Sequence, residues 1–210
     1  MTTNKNVLSR VKVAALDHPR RRFIKNGLAD IAYLVLATLV FPPTIKAESA
    51  YPKNSIIVVN TLAKALRSIG SPVCLAAALR LEADQRNDNK IHFYLRDAAL
   101  KLSDALIIAK ALKSLPSESH SALLSMSLSF NNAIGDAGAI ALAQSIPPTI
   151  RELGLVDCGI SDAGGEAFLQ WAKHATGLRM LCIEQNHISE GLKLQLIELM
   201  HRNASLLVIV

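Results

Sequence analysis

The sequence predicts an α/β fold made of stacked strand–turn–helix units, a solenoid in which each unit is one coil. Three observations predict it. An apolar pattern recurs as Leu123, Met126, Leu128, Asn131, then Ile150, Leu153, Leu155, Cys158, then Leu178, Leu181, Ile183, Asn186, with starts 27 and 28 residues apart. A second pattern follows each copy, led by Ile134-Gly135-Asp136, Ile160-Ser161-Asp162 and Ile188-Ser189-Glu190. Composition is the third observation: 50% of residues are hydrophobic but only 4% aromatic, which suits thin layers of small aliphatic side chains.

Each copy justifies its own elements. Apolar residues alternate in the first half, as Leu153 and Leu155 do around Gly154, which marks a short strand with one face inward. The polar triplets then start helices, because Ser or Asp satisfies the free N–H groups of a first turn. Helices are expected over residues 139–146, 166–173 and 192–200. The pattern resembles the leucine-rich repeat, in the long-repeat form of the ribonuclease-inhibitor proteins. That resemblance implies a parallel sheet lining a concave face. It also implies that the Asn or Cys side chain is buried and hydrogen-bonds the turning backbone.

The repeat is blurred toward the N-terminus. Ala63-Lys64-Ala65-Leu66-Arg67-Ser68 is echoed by Ala109-Lys110-Ala111-Leu112-Lys113-Ser114. After the first echo, Ala76, Leu79, Leu81 and Asp84 have the strand spacing, so a fourth copy is expected over residues 76–116. Residues 85–90 read as a polar loop and 96–115 as one long helix. Residues 91–95 read as either an added strand or the start of that helix. Residues 60–69 are the helix of an earlier, capping unit, and 206–210 a last strand at the sheet edge. The organisation expected is therefore an N-terminal segment 1–47, a capping region 48–75 and a solenoid 76–210.

The N-terminal segment stands apart in charge. It holds eight Lys or Arg and two acids, Asp17 and Asp30, and so carries the whole net charge of +6. The rest is neutral, which argues against a nucleic-acid-binding body. Arg20, Arg21, Phe23 and Lys25 precede an uninterrupted apolar run of 11 residues, 31–41. A bilayer-spanning helix needs about 20. A basic stretch followed by a short apolar run is the pattern of a signal rather than a span. It resembles a bacterial twin-arginine export signal, with Pro19 standing where Ser or Thr is usual. The resemblance implies a periplasmic or secreted protein. Two other readings stay open: an uncleaved membrane-associated segment, and a helix capping the stack. Membrane contact is expected only through this segment.

Little chemistry is on offer. Cys74, Cys158 and Cys182 form no C-x-x-C pair, and an odd number makes no disulfide framework. No two histidines stand four apart on a helix face. Gly135, Gly138, Gly164, Gly165 and Gly191 lack the Lys-Ser/Thr of a phosphate loop and read as tight turns of the repeat. Asp136, Asp162 and Glu190 read as helix-start acids rather than calcium ligands. Asp97 and Asp104 read as surface acids. No catalytic residue, cofactor or metal ligand is expected. The residues between the consensus leucines point into the concave face, and there a protein partner is expected. The candidates are Ser127, Ser129, Phe130, Glu152, Val156, Asp157, Met180, Glu184 and Gln185. The acids among them would repel a nucleic acid. Alternatives are a membrane-anchored or host-directed secreted interaction protein and, from a different class, an enzyme with its site in an 85–115 insertion.

Overall fold

The structure is a computed structural model that describes residues 53–84 and 90–210. These belong to one compact unit, Ala47–Val210. The export-signal residues Arg20, Arg21, Phe23 and Lys25 lie outside the described residues, as does most of the polar loop. The chain runs α1 (Lys53–Ile69), α2 (Pro72–Asp84), β1 (Ile91–Tyr94), α3 (Leu102–Lys113), β2 (Leu123–Ser127), α4 (Gly135–Ala143), β3 (Glu152–Gly154), α5 (Asp162–His174), β4 (Met180–Cys182), α6 (Glu190–Arg202) and β5 (Leu207–Ile209). The five strands form one sheet in sequence order, every neighbour parallel. From α2 onward each helix leads to the next strand, and α4, α5 and α6 each pack beside the helix before.

The consensus side chains build the core. Phe93, Met126, Leu153, Leu181 and Val208 sit level across the sheet and are buried. Helical residues such as Ile108, Leu142, Leu169 and Leu196 close the layer above them. Three helical glycines let the coils approach. A Cβ on Gly138 would meet Ile134 Cγ2 at 2.7 Å, one on Gly164 would meet Ala139 Cβ at 2.9 Å, and one on Gly165 would meet Leu192 Cδ2 at 2.8 Å. Of the five glycines expected as tight turns, only Gly135 has a positive φ. Gly138, Gly164 and Gly165 are packing glycines instead, and Gly191 has nothing close.

The turns after the strands behave as expected. Asn131 is 2% exposed. Its Oδ1 accepts from the N–H groups of Ala98 and Leu100 at 3.0 and 2.9 Å. Its Nδ2 donates to the carbonyls of Leu95 and Leu128 at 2.8 and 2.7 Å. Asn186 repeats the set one pair of coils later, on Cys158 N, Ile160 N, Leu155 O and Ile183 O. One side chain thus serves the backbone of two successive turns. Cys158 only donates its thiol to Leu128 O at 3.3 Å and Val156 O at 3.5 Å. Burial pushes that thiol up to about 12.

The helix-start acids reach further than expected. The Asp136 carboxylate accepts from Ser161 N at 2.7 Å, from Ser161 Oγ and from Gly164 N at 3.0 Å, so it caps the next coil's helix. Asp162 accepts from Ser189 N at 2.7 Å in the same way. Burial works against the Asp136 charge, yet the bonds from Ser161 and Gly164 outweigh it and hold the carboxyl below its ordinary value. Ser189 does the same for Asp162.

Several expectations are corrected in the N-terminal half. The segment with Ala76, Leu79, Leu81 and Asp84 is helix α2, not a strand. Cys74, Ala77, Ala78 and Leu81 are its buried face, a period of three to four, while Leu79 is exposed. The strand of this repeat is 91–94, and 96–101 is a turn rather than the first part of a long helix. Asp97 stands in that turn with φ 50, and the side chain of Asp104 is mostly buried, accepting from Lys101 N at 3.1 Å. Residues 91–113 are therefore one strand–turn–helix coil, not an insertion. Before it, α1 and α2 pack on each other, and α1 packs on α3, which covers the N-terminal end of the stack. The helix expected at 60–69 starts earlier, at Lys53. At the other end β5 is an edge of only three residues, and its outward Val208 N–H lies 3.3 Å from Met200 Sδ. A short edge offers little template for further pairing. No helix among the described residues is long and apolar enough to cross a membrane.

Candidate functional site

The face of the sheet opposite the helices is laid out by the strand register. Side chains alternate along a strand, so residues one step from the core leucines share the open face. One row reads His92, Ser125, Glu152, Met180, Leu207, and the next reads Tyr94, Ser127, Gly154, Cys182, Ile209. Two residues further along each coil come Arg96, Ser129, Val156 and Glu184. The turn residues Asp97, Phe130, Asp157 and Gln185 form the rim.

The rows differ in height. Ser125, Ser127, Ser129 and Val156 are buried. Ser129 Oγ accepts from Val156 N at 3.1 Å and from Ser127 Oγ at 3.2 Å. Of the candidate residues, Ser127, Ser129 and Val156 are thus covered and engaged within the fold. Gly154 keeps this floor low, since a Cβ there would meet Ser127 Oγ at 2.8 Å. On one side Tyr94 and His92 stand above the floor. Ser125 Oγ shares hydrogen bonds with His92 Nδ1 at 2.6 Å and with Tyr94 Oη at 2.8 Å. Ser125 is 1% exposed, so this serine–histidine pair braces two strands and does not present a nucleophile. On the other side Met180, Leu207 and Ile209 are exposed. Glu152 and Gln185 are also exposed, and Asp157 and Glu184 partly so. The Asp157 Oδ1 accepts from Asn132 Nδ2 at 2.9 Å.

Phe130 is the odd residue of the rim. The position before the Asn or Cys is left-handed in four coils: Asp97 has φ 50, Phe130 φ 63, Asp157 φ 48 and Gln185 φ 60. Asp tolerates this region, whereas a bulky aromatic there is a strained outlier. Phe130 is nevertheless 38% exposed, with the Arg96 guanidinium 5.1 Å above its ring. Exposed strain of this kind is a feature of binding sites. Arg96 was not legible as a face residue, because its segment read as helix. Its place one residue after Leu95, as Ser129 follows Leu128, is the signal that identifies it.

Near the middle of the face lies Cys182. Burial first, then the charges of Glu184 and Glu152, push its thiol up to about 11, while Arg96 pulls the other way. At neutral pH it is a thiol, not a nucleophilic thiolate. Glu184 has a buried oxygen, Oε2, with no hydrogen-bond partner. No cluster of His, Cys, Asp and Glu among the described residues is arranged to hold a metal ion.

Two stretches, residues 121–143 and 147–169, match the family model described as "Leucine Rich repeat". No curated protein matches the chain. Among solved structures, the chain is similar to leiomodin-1 actin-binding site 2, at 16% identity and a TM-score of 0.49, over 78% of this chain and 79% of that one. The matched stretches contain β2–α4 and most of β3–α5. With the five parallel strands and alternating helices, they identify the fold as a leucine-rich repeat solenoid.

Proposed function

We propose that this is a non-enzymatic protein-binding module that takes its partner on the open, concave face of the sheet. The observation that carries the reading is apolar exposure. Tyr94, Phe130, Met180, Leu207 and Ile209, five of the eleven large apolar side chains exposed among the described residues, stand on this one face. Aromatic and Met side chains ringed by polar groups are the usual centre of a protein interface. Tyr94, Met180, Leu207 and Ile209 stand on hydrogen-bonded strands and Phe130 in the turn after β2, so little ordering is needed when a partner arrives. Glu152, Asp157, Glu184 and Gln185 supply the polar surround. Binding modules of this repeat are typically not enzymes, and that supports the class.

Partner capture tests it. The chain is immobilised beside a variant carrying Phe130→Ala and Glu184→Ala, and bound proteins are compared by mass spectrometry. Loss of capture with an unchanged circular-dichroism melt is the expected result. Capture that survives both changes removes the face from the account.

Export to the periplasm or beyond the cell belongs to the same reading, and rests on the resemblance of residues 20–25 and the apolar run after them to a twin-arginine signal. Intact mass of the protein from separated bacterial fractions decides it. A periplasmic species shortened near Ala47 is expected. A full-length species in the membrane fraction favours the anchored alternative.

A further inference from the structure

We propose that the segment captured by this face carries a lysine or arginine next to an aliphatic residue. This rests on the reading of the face as the binding surface and adds the chemistry of what it binds. Four carboxylates stand on the face and its rim, Asp97, Glu152, Asp157 and Glu184. The ion pairs among the described residues are Arg67–Glu82, Lys193–Glu190 and, at 3.9 Å, His201–Glu198, and all lie on helices. None includes a carboxylate of the face. The one cation within the face, Arg96, is stacked on Phe130.

Glu184 is the sharpest case. Its Oε2 is buried against the protein and makes no hydrogen bond. The side chain as a whole is partly exposed, so a cationic N–H of a partner can meet the carboxylate from its open side. The apolar half of the recognition lies beside it. Glu184 follows Cys182 by two residues on the same face. Cys182 is level with Ile209, and Met180 with Leu207. A partner cation at Glu184 therefore leaves the residue beside it nearest Ile209, with Leu207 further along the same strand, both exposed. The low floor at Gly154, between Ser127 and Cys182, leaves room for a long side chain to lie across the sheet.

The probe is a phage-displayed library of short random peptides, panned on the full chain. Enriched peptides are labelled and their affinities measured by fluorescence anisotropy against wild type, Glu184→Gln, Glu152→Gln and Leu207→Asp, each checked for an unchanged melt. Lys or Arg beside Leu, Ile, Val or Met is the expected enrichment. Glu184→Gln is then expected to weaken binding by about tenfold or more, as is Leu207→Asp. Acidic enriched peptides, or binding that is lost in Leu207→Asp but indifferent to both glutamine changes, overturn the charge proposal and leave the face reading intact. Binding undiminished in Leu207→Asp, or no enrichment over an unrelated protein, overturns both.

Discussion

The turn edge and the open face of the sheet are made from the same coils and use polar groups in opposite ways. At the turn edge the two consensus asparagines are saturated. Asn131 and Asn186 each bond two N–H groups and two carbonyls of successive turns, and Asp136 and Asp162 reach forward to cap the next helix. On the open face a buried carboxylate oxygen of Glu184 is unmatched, Phe130 is strained, and apolar side chains meet solvent. The difference separates two tasks. Groups that hold one coil to the next are satisfied inside the chain. Groups left unmatched on a rigid support are available to something outside it.

The comparison breaks most visibly at Asn131. Asn131→Ala strands two buried donors and two buried acceptors, and is expected to cost about 3–5 kcal/mol in denaturant unfolding. Cys158→Ala, at the equivalent place, removes only weak thiol bonds and is expected to cost about 1 kcal/mol. Equal losses would mean that the turns do not depend on asparagine. Next comes Leu155→Ala, which opens a cavity beneath the same coil and is expected to cost about 2–5 kcal/mol.

Acid sharpens the comparison. Asp136 and Asp162 have folded pKa values below their ordinary ones. Their contribution to stability is therefore complete above about pH 4 and is lost as pH falls through the folded values. Asp136→Asn is expected to flatten the decline in melting temperature below pH 4 and to leave its slope between pH 6 and 8 alone. A variant that declines as steeply as wild type would show that the forward cap carries no charge-dependent stability. The smallest effect on stability belongs to the open face. Phe130→Ala gives up the packing of a part-exposed ring on Arg96 and keeps the left-handed backbone, and is expected to move unfolding by no more than about 1 kcal/mol.

How much of this was legible follows from where the repeat keeps its asparagine. The three later coils announce themselves, because the Leu spacing, the Asn or Cys and the helix start all recur. The first coil hides. Ala98 stands where Asn131 does, and its turn is bonded by Asn131 from the neighbouring coil. Its strand also carries a register irregularity. Ile91 pairs with Leu123 and Phe93 with Met126, so the usual three-residue step is compressed to two. The segment 76–84 imitated a strand because Leu79 and Leu81 have that spacing, although burial of Cys74, Ala77, Ala78 and Leu81 follows a helix. The two sides of a strand could be read from alternation. Exposure could not be, since Ser127, Ser129 and Val156 are covered by neighbours across strands, and Gly154 is what lets them lie so low.

The central claim is that the sheet face, and not the helical side, meets the partner. Hydroxyl-radical footprinting of the chain alone and with a bound partner or selected peptide measures this at single side chains. Oxidation of Tyr94, Phe130, Met180 and Leu207 is expected to fall on binding, while Leu194, 66% exposed on α6, stays as reactive as before. Protection of Leu194 with no change at Met180 and Phe130 would contradict the account.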